Sequence, residues 1–244
     1  MVIFYSRYSY LLAAFLILLM SPFIASSTGT SGRTVSHYKV IYKGFSIGDV
    51  TTTQRVIEEA GAPGVYFETK TTIKASLLWM GYQLDTVEKG TLLKGELVNY
   101  SRKGSENGNS IDIEGRLEKS SFRLHVKEQG AVRSIAIPRN SYDYTTVECP
   151  EARHDFSDKT AITLNILDID KLAVVRRDYH LVRNSLYSIG GKELPCRIVD
   201  FSDKNKKVRR WINWDGSAVV LYREDSGGEK NPYSVQATLL TKEM

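Results

Sequence analysis

"YKGFSIGDVTTTQRVIEE", residues 42–59, decides how the rest of this chain is read. Within it, Gly44-Phe45-Ser46-Ile47-Gly48 has the G-x-S-x-G form of a hydrolase nucleophile elbow. That motif needs a strand, a strained turn carrying the serine, and a helix behind it to help build an oxyanion hole. The residues after Gly48 are Asp49-Val50-Thr51-Thr52-Thr53-Gln54-Arg55-Val56-Ile57. Consecutive threonines are stiff at χ1 and fit a pleated strand, and Val50 and Val56 fall on one face of it. An elbow also normally comes after several strands of a parallel sheet, whereas this one comes after the first. Gly44 and Gly48 are therefore expected as the glycines of a hairpin turn, with Ser46 no nucleophile. The fold is to be sought among β proteins.

The rest of the chain repeats that rhythm. Tyr38, Val40 and Tyr42 share one face of a strand and Lys39 and Lys43 the other. Val65, Phe67, Thr69, Thr71 and Ile73 alternate with Tyr66, Glu68, Lys70 and Lys74. The same period of two recurs at Ile111/Ile113/Leu117, Phe122/Leu124/Val126 and Tyr233/Val235/Ala237/Leu239. Turn signals separate the runs: Ala60–Gly64, Glu106–Asn109, Gly190-Gly191, Asp215-Gly216 and Ser226–Gly228. Short strands at this spacing predict an all-β antiparallel sheet, as sandwich or barrel, with at most one short helix. Only residues 157–172 are ambiguous. Asp158 suits a helix cap, yet Ile162, Leu164 and Ile166 also alternate.

The N-terminus bears on the compartment. Arg7 is the only charge before Arg33, Leu11–Met20 is uninterruptedly apolar, Pro22 breaks any helix, and Ala25-Ser26-Ser27-Thr28 supplies small residues. This reads as a secretory signal cut after Ser27, so residues 1–27 are a signal peptide, 28–36 a polar linker and 37–244 one β domain. An uncleaved N-terminal anchor is the competing reading. Removing Arg7 takes the net charge from +5 to +4, mildly basic, and a hydrophobic content of 42% argues for a globular chain.

Cys149 and Cys196 suit an oxidising compartment, and a single disulfide between them is expected. Cys149, His154, Asp155 and Asp158 cluster, but no second Cys-His pair answers them, so neither metal nor cofactor is expected. His37, His125 and His180 stand singly in strand patterns and read as surface residues. The densest charge, Lys204, Lys206, Lys207, Arg209 and Arg210, lies beside Trp211 and Trp214. Strand alternation splits it, placing Arg210, Ile212 and Trp214 on one face and Arg209, Trp211 and Asn213 on the other. Export argues against nucleic acid; contact with an anionic membrane surface is the sharper reading.

Tyr38-Lys39-Val40 with Gly44–Val50 resembles the opening of a family of uncharacterised periplasmic proteins of Gram-negative bacteria, a "domain of unknown function" group. That opening has Tyr-x-Val, a Gly-x-x-x-Gly turn and a Thr-rich second strand. Phe67–Ala75 with the adjoining Ser76-Leu77-Leu78-Trp79 also resembles its pattern. The chain departs from it at Glu148-Cys149-Pro150-Glu151 and Pro195-Cys196-Arg197. The resemblance implies a curled antiparallel sheet, half-barrel or barrel-like, similar in outline to periplasmic lipoprotein and lipid carriers. It assigns no catalytic residues.

These readings give a non-enzymatic periplasmic protein binding a lipid or lipoprotein in a concave sheet face, with Leu77, Leu78, Trp79 and Met80 as its lip. An outer-membrane β-barrel is the alternative, though the chain ends Leu239-Leu240-Thr241-Lys242-Glu243-Met244 without a terminal aromatic. A secreted hydrolase using Ser46 stands last.

Overall fold

The structure, a computed structural model, describes residues 32–59, 61–77, 80–128, 131–157, 159–214, 219–227 and 233–243. Eight strands fill the first part: β1 (Arg33–Tyr42), β2 (Phe45–Glu59), β3 (Ala62–Leu77), β4 (Met80–Leu93), β5 (Glu96–Glu106), β6 (Asn109–Glu118), β7 (Ser121–Glu128) and β8 (Ala131–Pro138). After a short β9 (Tyr144–Thr145) and the four-residue helix α1 (Pro150–Arg153) come six more. These are β10 (Ala161–Asp168), β11 (Ala173–Ile189), β12 (Lys192–Asp203), β13 (Lys206–Trp214), β14 (Val219–Ser226) and β15 (Tyr233–Glu243).

All belong to one sheet in the order β8-β7-β6-β5-β4-β3-β2-β1-β15-β14-β13-β12-β11-β10-β9. The first and last strands pair in its middle, so β1–β8 form one arm and β15–β9 the other. The chain passes from one edge to the other through residues 139–143. The sheet does not close, since β8 and β9 are its two ends. It does curl: Gln54 on β2 donates to the Val219 carbonyl on β14 at 3.3 Å, across the face between the arms. Expected and observed fold class agree.

Period-two patterning explains which side faces inward. Val65, Phe67, Thr69, Thr71 and Ile73 are all buried, as are Phe122, Leu124 and Val126. The opposite face is ionic: Lys39 pairs with Asp49, and Lys70 and Lys89 with Glu68. β1 begins at Arg33 and Ser36 is buried, so the sheet claims residues 33–36 that read as linker. On β15 the expected face holds only to Ala237. The β1–β15 register shifts between His37 and Tyr38, with Thr238 left over; its hydroxyl donates to the His37 carbonyl at 3.2 Å. That bulge turns Leu239 to solvent and packs Leu240 against the core.

The opening motif is a hairpin. Lys43 and Gly44 both have positive φ, 49° and 85°, as a tight two-residue turn between β1 and β2 requires. Gly48 is not in that turn. It lies within β2 between Val40 and Ile73, where a Cβ would stand 2.4 Å from the Thr72 carbonyl oxygen. Ser46 is exposed on β2, and strand, not helix, continues beyond it. The ambiguous stretch also resolves: Ala161–Asp168 is strand, paired antiparallel with β11.

Candidate functional site

The concave face is filled by the protein itself. Residues 142–156 run along it, burying Tyr142, Val147, Ala152 and Phe156. They form little regular structure: a 3-10 turn at Thr146–Glu148, then α1, with Cys149 between them in the left-handed region at φ 45°. Two carboxylates fasten this insert to opposite arms. Glu148 accepts from the Leu97 backbone N–H of β5 at 2.9 Å and from Thr145 N–H at 3.2 Å. Burial pushes its pKa up, against the pull of those backbone donors. Glu151, fully buried, accepts from Arg210 of β13 at 2.5 Å.

Beyond the insert lies a buried ionic network. Arg210 also donates to Glu224 at 2.7 Å, and Glu224 accepts from the Tyr233 hydroxyl at 3.3 Å. Arg177 donates to Asp168 at 2.6 Å and to Asp203 at 3.3 Å. Arg177, Lys206 and Arg210 surround the Phe201 ring at 5.0, 5.6 and 4.8 Å from its centroid, using its negative faces. Burial lowers the Lys206 pKa, and neighbouring Arg177 lowers it further.

A second cluster joins the arms directly. Arg102 on β5 donates to Asp170, in the turn between β10 and β11, at 2.5 Å, and both side chains are buried. Glu88, opposite Arg102 in the β4–β5 register, is buried beside the same guanidinium. Two buried carboxyl groups thus neighbour one cation. Burial pushes Glu88 up to about 8 and Asp170 up to about 6, with Arg102 opposing in both cases.

The residues singled out in the sequence are scattered by this fold. Leu77 ends β3 and Met80 begins β4, Leu78 and Trp79 lie outside the described residues, and so do residues 1–27. The basic cluster divides: Arg210 is buried between two glutamates, Lys206 turns in toward Phe201, and Arg209 pairs bidentately with Asp200 at 2.6 and 2.8 Å. Only Lys204 and Lys207 stay exposed with no ion pair among the described residues, so the anionic-surface patch is not a continuous basic strip. The expected disulfide is not formed. Both cysteines are buried thiols in different neighbourhoods, Cys149 among Tyr38, Arg153 and Arg210, and Cys196 near Arg183 and Tyr187.

Among the described residues, no group of three or more His, Cys, Asp or Glu is placed to hold a metal ion. Sequence reasoning missed Glu88, Arg102, Glu148, Glu151, Asp168, Asp170 and Arg177. A signal existed: Arg102 and Arg177 stand in phase with the inward Tyr100 and Tyr179, where a solvated residue has no place.

Neither a family model nor a curated protein matches the chain in sequence. In structure it is similar to a β-barrel-like protein of a domain of unknown function (DUF1849) from Brucella abortus. The TM-score is 0.58 at 7% identity, covering 88% of this chain and 98% of that one. At that identity the likeness shows the fold alone.

Proposed function

We propose that this chain is an exported, non-enzymatic binding protein of the bacterial cell envelope, which takes a lipid or acylated protein into the seam of its unclosed sheet. The observation that carries the reading is the insert at 142–156. It is a stretch of the chain's own apolar groups, Tyr142, Val147, Ala152 and Phe156, laid along a concave face between two arms. An acyl chain entering the seam takes the place of those groups. The apolar run Leu11–Met20 and the small residues after Pro22 support export. Lys204 and Lys207, exposed near the tip of the β12–β13 hairpin, suit a brief contact with anionic headgroups.

The outer-membrane barrel reading has less behind it. A membrane barrel must close so that no edge meets lipid, and this sheet ends at β8 and β9. Its outward face carries Lys39, Lys70, Lys89 and Lys103, each exposed. On a lipid face, a lysine costs roughly 2–4 kcal/mol at mid-depth.

Native mass spectrometry of protein purified from the envelope, with titration of a fluorescent fatty acid, tests the proposal. The expected results are a co-purified lipid mass and saturable binding of the probe. Neither lipid nor probe binding, in protein shown to be folded, ends the carrier reading.

A further inference from the structure

The two edges of the sheet end differently. β9 is two residues long and pairs parallel with β10. Next to it, Asp143 N–H donates to the Asn165 carbonyl and Asn165 N–H to the Asp143 carboxylate, both at 2.8 Å, which caps that edge. β8 is eight residues long and pairs with β7 in unbroken register, from Glu128↔Ala131 to Ser121↔Pro138. Ala131–Ser134 are exposed on both faces, Val132 at 66%. Among the described residues, no strand pairs with this edge.

Soluble proteins blunt such edges with lysines, bulges, inward charges or a covering loop. β8 has no bulge, one charge (Arg133) and a proline only at its last position. Its backbone polarity can be read from one bond. Arg139 N–H donates to the Ser120 carbonyl at 2.9 Å, continuing the β7–β8 ladder. Residues in an antiparallel ladder point both backbone groups alternately to one side and the other. So 131, 133, 135 and 137 bond to β7, while Val132, Ser134 and Ala136 present N–H and C=O to the open edge.

We propose that β8 pairs antiparallel with β8 of a second copy of this chain, about a two-fold axis through Ser134. In this register Ser134 opposes its own counterpart, Val132 opposes Ala136, and each exchanges both backbone hydrogen bonds across the interface. Arg133 opposes Ile135, so the strand's one charge never meets itself. Centring on Arg133 sets two guanidinium groups face to face, and centring on Ile135 sets Val132 against Pro138, which has no N–H to give. Centring on Val132 pairs only Ala131–Arg133 and centring on Ala136 sets Ser134 against Pro138, so the Ser134 register alone pairs most of the strand with itself, and that argues for a second copy over another partner. Strand pairing alone buries less than a standard stable interface, so the dimer is concentration-dependent.

Sedimentation velocity of the envelope-purified protein over a wide concentration range tests this, with Ser134→Pro and Val132→Lys beside wild type. Proline at 134 removes an edge-facing N–H that the β7–β8 ladder does not use, so the fold survives it. The lysine leaves the backbone alone and serves if the proline variant fails to fold. Expected is a wild-type dimer whose dissociation constant rises by roughly tenfold or more in either folded variant. A wild type that stays monomeric at every concentration overturns the proposal, whatever other peptide it binds. A dimer unmoved by both substitutions overturns it too, since its interface then lies elsewhere.

Discussion

The two arms of the sheet turn different chemistry inward: the first is neutral over β3 and β7, with Glu88 and Arg102 of β4 and β5 its buried charges, and the second is ionic. Buried β3 offers Val65, Phe67, Thr69, Thr71 and Ile73, and the Thr69 hydroxyl meets that of Thr52, the two Oγ1 atoms 3.1 Å apart. The facing arm offers Arg177 and Arg210 with Asp168 and Glu224, and with Glu151 of the insert, gathered around Phe201. Short side chains suffice where adjacent strands cover one another. Arg177 and Arg210 find their carboxylates on adjacent strands of that arm and on the insert, where each guanidinium is charge-paired away from water. The neutral arm is stabilised by burial and fine packing. The ionic arm depends on complete pairing, because a half-removed buried pair strands a charge.

Removing one member of the ionic arm is the strongest way to break that contrast. Arg210→Met leaves Glu151 and Glu224 buried without their shared cation. The expected loss is roughly 3–5 kcal/mol of unfolding free energy, read from urea denaturation at neutral pH. A change under about 1 kcal/mol means that the network is better solvated than its burial implies.

The Arg102 cluster gives the next effect, through pH. The folded protein raises Glu88 from 4.5 to about 8, so between those values it holds a proton that the unfolded chain has released. Stability then falls as pH rises through this window and levels off above it. Asp170 acts in the same direction up to about 6. Each group costs at most about 1.4 kcal/mol per pH unit, so urea midpoints from about pH 5 to pH 9 should decline in wild type. Glu88→Gln should flatten the upper part of that curve. A variant that declines as wild type does clears Glu88 of the effect.

The smallest effect belongs to the neutral arm. Thr71 is buried, and its hydroxyl has no partner among the described residues. Thr71→Val keeps the shape and removes that hydroxyl, so a gain of about 1 kcal/mol is expected. A loss of similar size, by the same urea measurement, places an unseen partner on Thr71 and makes the two arms more alike.

The contrast also explains what could be read beforehand. On the neutral arm, alternation names the inward residues of β3 and β7 without error, because apolar period two and burial coincide there. On the ionic arm the same alternation places Arg210 with Ile212 on one face, correctly, yet charge density reads as solvation. Hydropathy carries no mark for an arginine that will meet Glu151, 59 positions away. The bulge at Thr238 escapes for a related reason: it is a mismatch between β1 and β15, at opposite ends of the chain, and neither strand signals it alone.

Local structure is legible in the residues themselves. The run Asp49–Ile57 is strand because threonine and valine rotamers prefer a pleated backbone, and Lys43-Gly44 is a turn because glycine tolerates positive φ. Those preferences act within a few residues, and they are enough to exclude the nucleophile elbow. Strand order, the unclosed seam, the insert along the concave face and the free edge of β8 were decided only in three dimensions. Each depends on which distant surfaces meet once the sheet curls. Arg102 and Asp170 are 68 residues apart, and only that curl makes them a pair.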